Sequence, residues 1–184
     1  MVYGCKMTSE DVKNTKGRIH KAWKSRFLMF INTPLPHARK KVHIRSGDGS
    51  TQLGQSLEKL LTDEYGITAF HDFLKSQFCE ENLEFWRACE EFKSISSPEK
   101  LVCRATSIYK EFIENDSPKE VNVDFHTRET IGQNLHWPTT SCFDGAQRKV
   151  YSLMENDSYP RFIQSDFFKK LCADIRASGK PRRA

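Results

Sequence analysis

The chain has 184 residues, 38% of them hydrophobic and 29% charged, with a formal net charge of +5. That length allows one domain of ordinary size with appendages. A mean hydropathy of −0.64 and the lack of a long apolar run exclude a membrane-spanning helix, and the apolar run 27–31 is too short and too far along the chain for a secretory leader.

The charge is unevenly spread. Residues 1–46 carry 11 Lys/Arg against 2 Asp/Glu, a net +9, which leaves −4 on the remainder. That separation argues for two jobs. Six cysteines, at 5, 79, 89, 103, 142 and 172, form no C-x-x-C pair and no Cys/His cluster. They read as reduced thiols of a cytosolic protein, with no metal site and no cofactor. The P-loop, H-E-x-x-H and G-x-S-x-G patterns are absent, so an enzyme with its own active site finds no support.

In chain order, residues 9–31 read as an amphipathic helix. Ile19, Trp23, Phe27 and Phe30 share a face, and Lys13, Arg18, Lys21, Lys24 and Arg26 lie largely around it. A basic helix with aromatic anchors suits an anionic membrane surface. Cys5 is a lipidation candidate beside it. Calmodulin-type recognition, nuclear import and docking on the body remain open for the same segment. Pro34 and Pro36 end it, and the basic stretch to residue 50 reads as a linker. That stretch has no interleaved aromatics, which disfavours nucleic acid.

From residue 51 the pattern is helical almost throughout. Leu53, Leu57, Leu60 and Leu61 form a stripe, and Gly66 is the expected stop after it. Phe70, Phe73 and Leu74 mark the next helix. Phe85, Ala88, Cys89 and Phe92 stand at i, i+3, i+4 and i+7, flanked by Leu83 and Trp86. This predicts a central helix opened by Glu80, Glu81 and Asn82. Ser97-Pro98 starts a helix with Leu101, Ala105, Ile108 and Phe112 inward. Asp124 or Thr127 opens another. Ser141 and Asp144 suggest a capping box before the stripe Phe143, Ala146, Val150, Leu153 and Met154. Pro160 is expected to set off a last pair of short helices, one through Phe162 and one with Phe167, Phe168 and Leu171. No segment shows strand alternation. The prediction is an all-α bundle of about nine short helices over 51–176, behind a basic segment 1–50 and before a basic tail 177–184.

Several separated strings carry a resemblance over roughly 53–171. They include Glu80-Glu81-Asn82-Leu83-Glu84-Phe85-Trp86, Pro118-Lys119-Glu120-Val121-Asn122-Val123-Asp124, and Asp157-Ser158-Tyr159-Pro160-Arg161-Phe162. In order and spacing they resemble the regulator of G-protein signalling (RGS) family, especially its small members with one domain behind a basic helix. The resemblance implies an RGS-domain bundle. It implies a GTPase-activating protein, not itself an enzyme, that binds the switch regions of GTP-bound Gα subunits of the Gi/o or Gq class. Signalling from G-protein-coupled receptors would thereby be attenuated.

Residue by residue, the resemblance gives Gα contacts to Glu81, Asn82 and Asn122. It gives a pocket for a switch threonine to Leu153, Asp157, Ser158 and Arg161. Gln77, where Glu is usual, Cys79, where Ser is usual, and Asn156, where Lys is common, are candidate selectivity positions. Trp137 stands where an acidic residue is more frequent. Cys89 matches an in-domain cysteine considered for acylation, although its place on the apolar stripe reads as core. The expected state is a monomer at the cytoplasmic face of the plasma membrane, free of nucleic acid. The alternative is a helical adaptor that binds Gα or another partner without accelerating hydrolysis.

Overall fold

The computed structural model describes residues 53–178. Among them the secondary structure is entirely helical. The α-helices are α1 (Leu57–Thr62), α2 (Glu64–Ser76), α3 (Glu81–Lys93), α4 (Pro98–Ile108), α5 (Phe125–Asn134), α6 (Asp144–Leu153), α7 (Tyr159–Phe162) and α8 (Asp166–Ser178). A π-turn, Tyr109–Ile113, extends α4, and a second, Met154–Ser158, joins α6 to α7. The chain divides into two compact units, one from Glu84–Val150 and the other from residues 53–83 and 151–178, so the division falls inside α3 and inside α6.

In the unit 84–150, α3 buries the stripe its spacing predicts. Phe85, Ala88, Cys89 and Phe92 are all buried, as is Trp86 beside them. Phe143 meets Phe92 edge-on at 5.1 Å between centroids and Phe85 at 6.4 Å, and Phe85 lies 5.6 Å from Phe112. Each such ring stabilises the fold by roughly 1.5–3 kcal/mol through burial. The fully buried Gln147 has both ends of its amide occupied. Its Nε2 donates to the Trp86 carbonyl at 3.1 Å and to Glu90 at 2.7 Å, and Lys93 donates to its Oε1 at 2.5 Å. A buried amide is tolerated because it is satisfied in this way.

In the other unit, Phe162 gathers the rings. It lies 5.1 Å from Phe70, 5.5 Å from Phe73 and 5.5 Å from Phe168. Helices α2 and α8 pack side by side around this cluster.

Two boundaries differ from the sequence reading. The break between α1 and α2 is at Asp63, not Gly66. Asp63 is extended (φ −105°, ψ 131°) and its N–H donates to Leu60 O, closing α1. Its carboxylate accepts from the Gly66 N–H at 2.8 Å, opening α2. Gly66 sits in the first turn of α2 because a Cβ there would lie 2.7 Å from the Leu60 carbonyl oxygen. Ser141 makes no capping box. A turn over 139–143 precedes α6, and the Ser141 hydroxyl pairs with that of Thr139 at 2.9 Å. The last pair of helices set off at Pro160, one through Phe162 and one with Phe167, Phe168 and Leu171, is found as α7 and α8. Pro160 occupies the first turn of α7, where its missing N–H is least costly, and the break between the two falls over 163–165.

Gly66→Ala is expected to destabilise the protein by about 1–3 kcal/mol in urea denaturation. Helix propensity alone predicts a gain of roughly 0.5–1 kcal/mol. A gain would show that the approach of Leu60 is not what demands glycine.

Candidate functional site

The turn from α2 into α3 is closed by backbone bonds of one recurrent kind. The Phe78 N–H donates to Lys75 O at 3.2 Å, and the Cys79 N–H donates to Leu74 O at 3.1 Å. This pairing requires a left-handed residue at the position usually given to glycine. Phe78 fills it with φ 56°. A bulky residue there stores roughly 1–2 kcal/mol of strain. Phe78 is also 92% exposed, so its ring recovers almost nothing from burial. A strained, exposed aromatic is a candidate contact that the sequence reading does not include. Only the lack of a glycine at the end of α2 signalled it.

The same turn presents Cys79, Glu81 and Asn82. The Cys79 Sγ is half-buried and donates to Leu74 O at 3.6 Å. Burial and then the nearby Glu81 carboxylate push its thiol up, so it is a neutral packing group near pH 7 and not a nucleophile. The Asn82 Nδ2 donates to the Cys79 carbonyl at 3.1 Å and to Glu81 Oε1 at 2.8 Å. Both partners are acceptors, which fixes the nitrogen toward them and the oxygen away. That oxygen is sheltered and has no donor, although the residue is only 6% exposed. An unpartnered buried acceptor costs about 1–3 kcal/mol. A donor from a docked protein would relieve that cost.

In the same unit, the π-turn Met154–Ser158 carries Asp157 and Ser158 and is flanked by Leu153 and Arg161. The Tyr159 N–H reaches back to Met154 O, one residue further than in an α-helix. Pro160 supplies a physical reason, since its ring crowds the carbonyl four residues back, at Asn156, and a wider turn relieves the clash. Leu153, on the predicted inward stripe, is instead 41% exposed, while Met154 is fully buried. Ser158 is buried and Asp157 exposed. Arg161 Nη2 donates to Asp157 Oδ2 at 2.6 Å, the i, i+4 pair legible in the sequence, and Nη1 donates to Gln77 Oε1 at 3.1 Å. Asn156 Nδ2 turns inward to the Ser152 carbonyl (2.8 Å) and hydroxyl (3.0 Å).

Asn122 belongs to the other unit. It is exposed between the buried Val121 and Val123, in the connection 114–124. That connection is held along its length. Val121 N–H donates to Phe112 O at 2.9 Å, and Lys119 bridges Glu84 (2.7 Å) and Glu111 (3.2 Å). Asp124 caps α5 through the Thr127 N–H at 3.0 Å and pairs with Lys149. Lys149 and the two Thr127 donors hold the Asp124 carboxyl well below the usual carboxylate range. The polar loop expected from the sequence is therefore a fixed presenter of Asn122. The clamp residues, Lys119 above all, went unread because their partners are distant in sequence. Trp137, in this unit, is 89% exposed.

Cys89 is fully buried, and desolvation pushes its thiol well up, which makes it a core residue. Cys5, Ile19, Lys21, Trp23, Lys24, Arg26, Phe27 and Phe30 lie outside the described residues. Among the described residues no helix is long and apolar enough to cross a membrane.

Among the described residues the fold is one of helices alone, with polar and aromatic groups carried on the turns between them. The family model for the Regulator of G protein signaling domain matches residues 56–171. Regulator of G-protein signaling 1 from Equus caballus is 44% identical over 155 residues, covering 81% of this chain and 79% of that protein. Regulator of G-protein signaling 5 from Sus scrofa is 49% identical over 135 residues, covering 73% and 75%. Regulator of G-protein signaling 8 from Homo sapiens is 52% identical over 126 residues, covering 68% and 70%. A similar fold occurs in the rgRGS domain of PDZRhoGEF, solved in a complex with Galpha-13 bound to GTP-gamma-S. The TM-score is 0.61 at 19% identity, covering 76% of this chain and 74% of that one. The chain belongs to the regulator of G-protein signalling family.

Phe78→Gly is expected to raise stability by about 1 kcal/mol, because glycine adopts the left-handed position without strain. Urea denaturation measures it. A loss of stability would show that the Phe78 ring packs usefully in the free protein.

Proposed function

We propose that the protein is a GTPase-activating protein for heterotrimeric Gα subunits, acting by binding their switch regions and having no active site of its own. The observation that carries this reading is Asn82, a buried amide locked by two internal acceptors with its oxygen still unpartnered. The group is pre-oriented before any partner arrives, so little ordering cost is left for the complex.

The mechanism needs no nucleophile from this chain. A Gα subunit holds its own arginine and its water-positioning glutamine. Much of the barrier lies in keeping those groups in the arrangement of the transition state. A partner that binds the switch loops more tightly in that arrangement lowers the barrier by the difference in binding energy. Asn82 meets the region of the glutamine, and Glu81 bonds switch backbone. Leu153, Asp157, Ser158 and Arg161 receive the switch threonine. The exposed ring of Phe78 adds apolar contact beside them. Asn122 engages the switch surface from its own clamped loop. Rigid presenters suit this task because a loose contact would follow the ground state as readily as the transition state.

Gln77, Cys79 and Asn156 adjust preference between Gi/o and Gq subunits. Residues 1–50 hold the protein at an anionic membrane through their basic and aromatic side chains, with Cys5 as a lipidation point. Several cations at roughly 1 kcal/mol each give reversible attachment. This places a monomer at the inner face of the plasma membrane, where its partners reside.

The test is single-turnover GTP hydrolysis by a Gi-class and a Gq-class α subunit, with and without the protein. Acceleration of at least one is expected. Asn82→Ala, confirmed folded by circular dichroism, is expected to lose on the order of a hundredfold of the stimulation, the scale for removing one preorganised polar contact that acts in the transition state. Full stimulation by the folded variant would refute the role of Asn82, and no acceleration by the wild type would favour the adaptor reading. Deletion of residues 1–46 is expected to abolish binding to phosphatidylserine vesicles while leaving hydrolysis in solution unchanged. Vesicle binding that survives the deletion would contradict the membrane role of the arm.

A further inference from the structure

We propose that Gln77 is a positioning residue that orients Arg161, and through it Asp157, for the partner surface; this rests on the Gα-binding reading given above. The starting point is a weakness. An exposed i, i+4 Asp–Arg pair contributes only about 0.3–0.5 kcal/mol, since two long side chains must be ordered against water. Asp157 and Arg161 are both about half exposed, so alone they would spend much of their time apart. A third contact changes this.

Gln77 Oε1 accepts from Arg161 Nη1 at 3.1 Å while Nη2 holds Asp157 at 2.6 Å. The two ends of one planar guanidinium are thus tied to two different stretches of chain, 84 residues apart at the Gln77 end and four apart at the Asp157 end. A planar fork fixed at two points keeps one orientation.

The geometry of Gln77 is itself determined. Its backbone caps α2, with its N–H donating to Leu74 O and Lys75 O. Its Nε2 lies 3.4 Å from Ser76 Oγ, and that hydroxyl has already given its proton to Phe73 O at 2.7 Å. Ser76 Oγ can therefore only accept, which places the Gln77 nitrogen on its side and the oxygen toward Arg161. The order runs from helix end to serine to glutamine to arginine to aspartate.

The choice of an uncharged acceptor matters as well. A neutral oxygen steadies Arg161 without competing for its charge, so the Asp157–Arg161 pair stays electrically balanced. An apolar side chain at 77 would release the guanidinium. A carboxylate would hold it, and would add a negative charge beside Asp157.

The experiment has two arms on the described variants of the full chain. In the first, ¹⁵N relaxation of the Arg161 Nε–Hε group is measured on the free protein. It is expected to be ordered in the wild type and in Gln77→Glu, and mobile in Gln77→Leu. Equal order in all three would overturn the proposal. In the second, binding to Gα loaded with GDP and aluminium fluoride is titrated. Gln77→Leu is expected to weaken binding about fivefold, the scale of one exposed bond to a charged group, with an unchanged melting temperature. In an Arg161→Met background the same substitution is expected to cost nothing further. An equal loss in both backgrounds would show that Gln77 acts without Arg161 and would overturn the proposal. Absence of any Gα binding by the wild type would contradict the functional reading instead, and the relaxation arm would still decide the role of Gln77.

Discussion

The turn between α2 and α3 is the constraint on which the candidate site depends. Two helices must be joined between Ser76 and Glu81, and the bonds that do so require one left-handed residue at Phe78. That single backbone choice fixes where Gln77, Cys79, Glu81 and Asn82 emerge. Asn82 then locks the turn from the far side by donating to the Cys79 carbonyl. Glycine would close the turn at less cost. An exposed phenylalanine in that left-handed position is strain of the kind that clusters at binding sites.

A second local irregularity complements the first in the same unit. Pro160 cannot continue a regular helix, and the π-turn before it re-aims the residues from Met154 to Arg161. In the structure only Met154 is buried, and Leu153 is left partly exposed. Both irregularities present polar groups from rigid frames. Fixed presentation suits the proposed activity, whose effect would be a difference between two binding energies. Asn122 is held in the same spirit in its own unit, by the Lys119 bridges and the Asp124 cap.

Much of this was legible in the sequence, and the physical reasons are specific. The α3 stripe could be read because Phe85, Ala88, Cys89 and Phe92 follow helical period without interruption, and all four are buried. The Ser97 and Asp124 caps could be read because capping is local chemistry. The Asp157–Arg161 pair followed from i, i+4 spacing alone. The misplaced stop at Gly66 shows the limit of such rules. Glycine was taken as a conformational signal, whereas its cause is the approach of the Leu60 carbonyl, a contact between two elements. The π-turn before Pro160 has no sequence period of its own. Gln77–Arg161 and Lys119–Glu84 join positions that nothing in sequence spacing connects.

The central claim is that this surface prefers the transition-state form of Gα over its ground state. The most direct measurement is the affinity of the protein for one Gα subunit in two forms, with GDP plus aluminium fluoride and with a non-hydrolysable GTP analogue. The account predicts tighter binding to the first by a factor comparable to the acceleration of GTP hydrolysis, since both report the same difference in binding energy. Equal affinity for the two forms would contradict it and would leave a Gα-binding adaptor.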